Sequence, residues 1–191
     1  MKHDEELMME YTVGNQTALE EIFQRYKKAM FNYALRLLNN RADAEDVVGE
    51  VFFVVTSQKY SYQPGAKFST WLYTIAHNVC IDRIRKRRRI VFIWSKYDKD
   101  SPEYTQWDIP DTKNLPDTDA EKKDTAYHVK KAISRLPFAQ KEALILKEYH
   151  NLRYEEISKV LHCSKAKVKI LIFRARERLK KKLLPLIEEV R

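Results

Sequence analysis

A chain of 191 residues fits one large domain or two small ones, and its 44% apolar content can bury cores, which excludes a wholly disordered polypeptide. Only 3 Gly and 6 Pro, with few alternating apolar stretches, argue against a large sheet and for helices. The formal net charge of +9 points to a polyanionic partner, nucleic acid or an anionic membrane, while no apolar run approaches the roughly 18 residues of a bilayer span.

The first residues carry Asp4, Glu5 and Glu6 ahead of two methionines, unlike a secretory signal. Asn15 is the expected N-cap of a long amphipathic helix, in which Leu19, Ile22, Phe23, Tyr26, Met30, Tyr33, Ala34 and Leu37 recur at three- and four-residue steps. Asn39-Asn40 breaks it. A second helix opens with Asp43, Glu45 and Asp46, which suit the helix dipole, and carries the stripe Ala44, Val47, Val48, Val51 and Val55. Its Val and Phe content also fits a strand, but the acidic start and short polar gaps favour helix. Residues from Tyr60 to Lys67, with Pro64-Gly65, read as a loop. A further stripe of Phe68, Leu72, Ile75, Ala76, Val79 and Ile84 runs into Arg83-Ile-Arg-Lys-Arg-Arg-Arg, six basic residues in seven.

From Asp98 to Asp124 nine carboxylates face four lysines, with Pro102, Pro110 and Pro116 and no apolar period, the signature of a linker. Beyond it, Val129, Ala132, Ile133 and Leu136 mark a helix ended by Pro137. Ala143, Leu144, Leu146, Lys147 and Tyr149 lie on another, and Ile157, Val160 and Leu161 on a short one. After His162-Cys163-Ser164 a longer helix carries Val168, Leu171, Ile172, Ala175 and Leu179. Lys165 to Arg191 holds ten Lys and Arg against three Glu. The expected organisation is all-α: a helical domain over residues 1–91, an acidic flexible linker over 92–124, and a second helical domain over 125–191.

Two helices across a short break, the second of them basic, fit a helix-turn-helix. Ile157, Leu161 and Val168 can pack where they cross. Ser164 can cap the second helix and leave Lys165, Lys167 and Lys169 near its N-terminal end, where such helices meet phosphates and base edges. The bland counterpart is a helical hairpin with a solvated basic face. A second constellation joins Phe68, Trp71 and Tyr73 to His77, Asn78, Arg83 and the basic run Arg85 to Arg89. Aromatic faces stack on unpaired bases while cations hold the backbone. Phe68 is expected in the core, and Trp71 either stacks on DNA or packs. Third, Asp46 and Glu50, four apart, share one helix face in a basic protein. They are either solvated or meet a basic protein partner.

No catalytic set emerges: the five histidines lack metal-ligand spacing, and neither a phosphate loop nor a nucleophile motif is present. Cys80 and Cys163 lie far apart and outside any C-x-x-C pair, so neither a disulfide framework nor a zinc site is expected, no cofactor is assigned, and a reducing cytoplasm is the expected compartment.

Three segments in order resemble the extracytoplasmic-function sigma factors, the smallest class of the primary-sigma superfamily. Ala44-Glu-Asp-Val-Val-Gly-Glu-Val-Phe resembles the family's Ala-Glu-Asp-Val-Val-Gln-Glu-Val-Phe core. Phe68-Ser-Thr-Trp-Leu-Tyr-Thr-Ile-Ala-His-Asn-Val-Cys-Ile-Asp-Arg-Ile-Arg-Lys resembles its promoter-melting segment. Val168-Lys with Phe173-Arg-Ala-Arg resembles its recognition helix. The likeness runs over nearly the whole chain apart from the linker.

The resemblance implies a non-catalytic subunit that brings core RNA polymerase to promoter DNA. Asp46 and Glu50 match positions that bind the clamp helices of the largest polymerase subunits, and the second domain would meet the flap region. Asn78 matches a residue close to the flipped base of the −10 element, and the Tyr60 to Lys67 loop the one that receives it. The −10 contacts so implied are Tyr62, Lys67, Trp71, His77, Asn78, Arg83, Arg85, Lys86, Arg87 and Arg88. Those to the −35 element are Ser164, Lys165, Lys167, Lys169, Ile170, Phe173 and Arg174. The linker would thread the polymerase channel, and a membrane-anchored anti-sigma protein is a common further partner.

Two departures from the family pattern stand out. Gly49 replaces the usual Gln and weakens its helix locally. Lys169-Ile170-Leu171 replaces a basic residue followed by Ser-Arg, so that either readout shifts towards thymine methyl groups or both side chains pack. The competing functions are a stand-alone helix-turn-helix regulator, for which the acidic helix and the aromatic-basic segment are surplus, and a nucleic-acid-processing enzyme using carboxylates and a metal, which lacks a ligand set.

Overall fold

The computed structural model describes the backbone over residues 2–63, 67–97 and 120–188, and side chains over 2–63, 67–87 and 126–185. The core of the acidic linker (98–119), Pro64-Gly65 of the expected loop and the Arg88 side chain lie outside the described residues. Among the described residues there is no strand. The helices are α1 (Asp4–Thr12), α2 (Gln16–Leu38), α3 (Arg41–Ser57), α4 (Phe68–Tyr97), α5 (Ala120–Ser134), α6 (Phe138–Glu148), α7 (Tyr154–Val160) and α8 (Lys165–Glu188), with one 3-10 turn at Lys59–Ser61.

Asparagine punctuates the first half as its chemistry predicts. The Asn15 side chain accepts from the Thr17 amide at 3.2 Å and starts α2. Asn39 ends α2 in the left-handed region at φ 53°, which asparagine tolerates, and Asn40 caps α3 by accepting from the Asp43 amide at 3.0 Å. Segment 47–55 is helical: Val47, Val51 and Val55 are all buried on one face. Gly49 lies on the opposite, exposed face of α3, and a Cβ added there meets nothing within 4 Å. Gly49→Gln should therefore raise stability by about 1 kcal/mol through helix propensity alone, seen as a higher urea midpoint at unchanged slope.

α1 lies outside the helices expected from the sequence. Its acids do work that only the tertiary structure shows. Asp4 accepts from Arg25 at 2.5 Å and from the Tyr26 hydroxyl at 2.6 Å, so α1 is pinned along α2. Glu5 accepts from the Phe68 amide at 3.0 Å and so satisfies one of the orphan donors at the start of α4. Leu7, Met8 and Tyr11 complete the core beneath. Phe68 is fully buried, with Tyr26, Tyr62 and Trp71 around it at ring-centroid distances of 5.4–5.9 Å among the four rings. Edge-to-face and tilted contacts of this kind add to the burial itself.

The helices at both margins of the linker are longer than expected. α4 continues past Val91 to Tyr97, and α5 begins at Ala120, so residues 92–97 and 120–124, expected as flexible linker, are helical. In the second half, α6, α7 and α5 pack on α8, and Ser164 caps α8 by accepting from the Lys167 amide at 3.2 Å. The turn before it contains His162 at φ 48°. The two halves lie against each other: α6 packs on α2, and α7 on α4.

Candidate nucleic-acid interface

The acidic face of α3 and the basic end of α4 adjoin. Arg83 donates to Asp46 at 2.9 Å, reaches Asp43 at 3.4 Å and also bonds Glu50. It had been expected to face DNA; here it gathers three α3 carboxylates. Asp46 and Glu50 nonetheless keep 64% and 48% of their side-chain surface in solvent, so an outside partner can still reach them. Phe53 is 71% exposed beside Glu50, bordering a shallow groove with Val54, Val79 and Lys86. This aromatic was missed in the sequence. Its signal was the run Val51-Phe52-Phe53, since three consecutive residues span about 200° of a helix and cannot all face one core.

Along α4, Asn78 is exposed and Trp71 half-buried against Tyr62 and Phe68. Tyr62 is only 5% exposed and belongs to the core as folded. Arg85 and Arg87 are exposed and make loose pairs with Asp82 at 3.5 Å and Asp43 at 3.9 Å; Lys86 is exposed too. Exposed pairs of this kind are worth little and exchange readily for phosphate.

Lys67 and His77 are held by the other half of the molecule. Lys67 bonds Glu156 of α7 at 2.8 Å. The His77 Nδ1 lies 2.6 Å from Glu142 of α6, whose same oxygen accepts from the Tyr33 hydroxyl at 2.5 Å. An ionised carboxylate only accepts, so the hydrogen sits on His77 Nδ1. Glu142 is 1% exposed. Its neighbour Lys141, 2% exposed, donates to the Leu37 carbonyl at 2.8 Å. That carbonyl is among the last four of α2, which have no partner within the helix, and a cation there also suits the dipole. Burial pushes the Lys141 ammonium down to about 8. Arg36 stacks on Tyr149 at 4.2 Å.

His150 seals the same seam. Its Nδ1 lies 2.7 Å from the Tyr73 hydroxyl, and its ring packs edge-on to Tyr33. Burial, helped by the charge of Arg36, pushes its pKa down to about 4 from the ordinary 6.5. Because the packed form binds His150's proton less well than the separated form, the contact is strongest above pH 6.5. It weakens as pH falls towards 4. X-ray scattering should therefore give a larger radius of gyration near pH 5 than at neutral pH. His150→Gln, which has no proton to take up there, should flatten that difference; an equal expansion in this variant would refute the assignment.

On α8, Lys165, Lys167, Lys169, Ile170, Phe173 and Arg174 are all exposed, as is the capping Ser164. Lys165 bonds Glu155 of α7. The structure thus brings the −35 set onto one helix, whereas the −10 set is divided between exposed groups, a buried ring and groups held by carboxylates. Among the described residues, no group of three or more His, Cys, Asp or Glu is arranged to hold a metal ion, and no helix is long and apolar enough to cross a membrane.

Residues 22–90 match the Sigma-70 region 2 family, and residues 129–179 match Sigma-70, region 4. The ECF RNA polymerase sigma factor SigW of Bacillus subtilis is 31% identical over 170 residues, spanning 89% of this chain and 91% of that protein. The RNA polymerase sigma-H factor of Pseudomonas aeruginosa is 27% identical over 190 residues, 98% of this chain and 97% of its own. Among solved structures, the fold is similar to that of the sigma factor RpoE from Bartonella quintana, in complex with the anti-sigma factor NepR. The TM-score is 0.66 at 24% identity, over 86% of this chain and 95% of that one. CnrH, in complex with the cytosolic domain of CnrY, gives a TM-score of 0.68 at 21% identity, over 94% and 96%.

Proposed function

The chain belongs to the extracytoplasmic-function sigma factors of the sigma-70 family, which direct transcription initiation by RNA polymerase, and on that premise we propose which of its surfaces do so. Residues 1–91 form the half that binds core polymerase and opens the −10 element; residues 125–191 form the half that reads the −35 element, with 92–124 as linker. The carrying observation is that one chain joins an exposed acidic helix face to two separate basic helices. Asp46 and Glu50, with Phe53 as apolar anchor, dock on the clamp of the largest polymerase subunit. Ser164, Lys165, Lys167, Lys169, Ile170, Phe173 and Arg174 face the −35 major groove. Trp71, Asn78, Arg85, Lys86 and Arg87 face the opened −10 strands, with Arg88 assigned to them by the resemblance and Tyr62 packed behind Trp71. Lys67 joins them by exchanging Glu156 for phosphate, and His77 once the halves part and Glu142 releases it. Arg83 holds the α3 carboxylates in place.

The mechanism is binding throughout, with no catalytic step in this subunit. A base leaves the stack into a protein pocket, and contacts made there offset the few kcal/mol of unstacking. The site of action is the cytoplasm, where polymerase and promoter are. An anti-sigma protein, as in the complexes of its structural neighbours, is the expected regulator.

Retention by purified core polymerase, followed by runoff transcription over a pool of random promoters, tests this reading. Specific start sites that need both proteins are expected; tight operator binding without polymerase would instead mark a stand-alone regulator. Trp71→Ala and Asn78→Ala should each leave core binding near normal and reduce strand opening at least about tenfold, a loss of roughly 1.4 kcal/mol. Permanganate reactivity of unpaired thymines measures it. A pre-melted template should rescue Trp71→Ala more fully than Asn78→Ala, because the flipped base must still be read.

A further inference from the structure

The apolar stripe of α8 is complete without two of its large side chains. Val168, Ile172 and Ala175 are at most 2% exposed, and Leu171 and Leu179 pack partly against the same core. Ile170 and Phe173, however, are 50% and 66% exposed. Of the two apolar residues that depart from the family pattern, Leu171 packs and Ile170 does not. Ile170 and Phe173 are three apart and therefore adjacent on the helix surface. They lie among Lys167, Lys169 and Arg174, none of whose side chains has an ion-pair partner among the described residues, whereas Lys165 and Arg176 are tied to Glu155 and Glu148.

An apolar pair ringed by free cations is poorly matched to an apolar protein surface. It is well matched to a groove whose walls are phosphates and whose floor carries one apolar feature. In the major groove that feature is the C5-methyl group of thymine. Ile170 and Phe173 are the sixth and ninth residues of α8, counted from Lys165 next to its capped N-terminus, which is the part of a recognition helix that meets base edges. Isoleucine has no hydrogen-bonding group, so it cannot select a base by donors or acceptors.

We infer that Ile170, with Phe173 beside it, selects a thymine in the upstream promoter element through its methyl group. The inference rests on the placing of α8 in the −35 major groove proposed above, and it adds the chemistry of one base choice. The charged neighbours hold the backbone at any sequence; the apolar pair discriminates.

The experiment uses holoenzyme assembled from the full chain and core polymerase, on a promoter selected from the random pool. Each thymine of the upstream element is replaced singly by uracil, which pairs identically and lacks only the methyl group. At one or two positions uracil should weaken holoenzyme binding about fourfold, the effect of exposing one buried methyl. Ile170→Ser, at an exposed position and expected to fold, should bind the thymine and uracil promoters alike. Equal binding of uracil at every position in the wild type overturns the inference, as does full uracil sensitivity in Ile170→Ser. Loss of core retention in Ile170→Ser would also overturn it, by marking the patch as a protein contact. Failure of the underlying placement looks different: alanine at Lys165, Lys167, Lys169 and Arg174 would then leave dependence on the upstream element intact.

Discussion

Replacing Asp46 and Glu50 together by lysine is expected to weaken binding to core polymerase at least about a hundredfold, with helix content by circular dichroism unchanged. Like charges brought together at an interface cost several kcal/mol, and about 2.7 kcal/mol already gives that factor. The fold itself should bear the change, since both side chains stand about half or more in solvent and their bonds to Arg83 are surface bonds. Arg83→Gln separates the two roles of this cluster. It frees the carboxylates without removing them, and should alter core affinity less than tenfold. Unchanged core affinity in the double lysine variant would remove these residues from the polymerase contact.

The second large effect concerns the seam between the halves. Glu142→Ala should loosen α6 from α2 and α4 by about 3 kcal/mol, because it strands the Tyr33 hydroxyl and His77 Nδ1 in a buried place. Glu142→Gln retains an oxygen that accepts from both groups and should lose about 1 kcal/mol. X-ray scattering should show the alanine variant expanded at neutral pH, with trypsin cleaving it faster between the halves. An unchanged radius of gyration and cleavage rate would show that Glu142 does not hold the seam. Since His77 is bound by buried Glu142 in the packed form, promoter contact by it requires the halves to part, whereas the exposed Lys67 need only exchange Glu156 for phosphate. The alanine variant lowers the energy needed for that step.

Much of the fold and the outline of the candidate site were legible from side-chain chemistry. Asn15, Asn40 and Ser164 mark helix starts because their short polar side chains accept from backbone amides that helices leave free, and Asn39 ends α2 because asparagine tolerates the left-handed backbone. The Leu19 to Leu37 spacing gave α2, and the Ser164 cap with its lysines gave the basic helix of the second half. Segment 47–55 was ambiguous because a run of Val and Phe suits either period. It is the flanking Asn40 cap and the packing of Val47, Val51 and Val55 that make it helical. The short α1 was missed because its acids, Asp4 and Glu5, find their partners on α2 and at the start of α4.

The amino-acid sequence by itself determined the helical class, the order of the segments, the family and the cationic face of α8, because all of these depend on residues near one another in the chain. Tertiary structure alone decided which polar groups would be consumed inside the molecule. Gln140, Lys141 and Glu142 are three consecutive polar residues, yet all three are buried. Lys141 and Glu142 are buried because α2 presents a carbonyl that its own helix cannot satisfy and α4 presents His77 at the same place. Arg83 was likewise claimed by α3, Tyr62 by the aromatic core, and Ile170 left outside while Leu171 packed. Periodicity reports which face of a helix is apolar; it carries no information about which distant element will meet the other face. A charged side chain follows whichever partner the packed helices bring within about 3 Å, and that distance is set only when they meet.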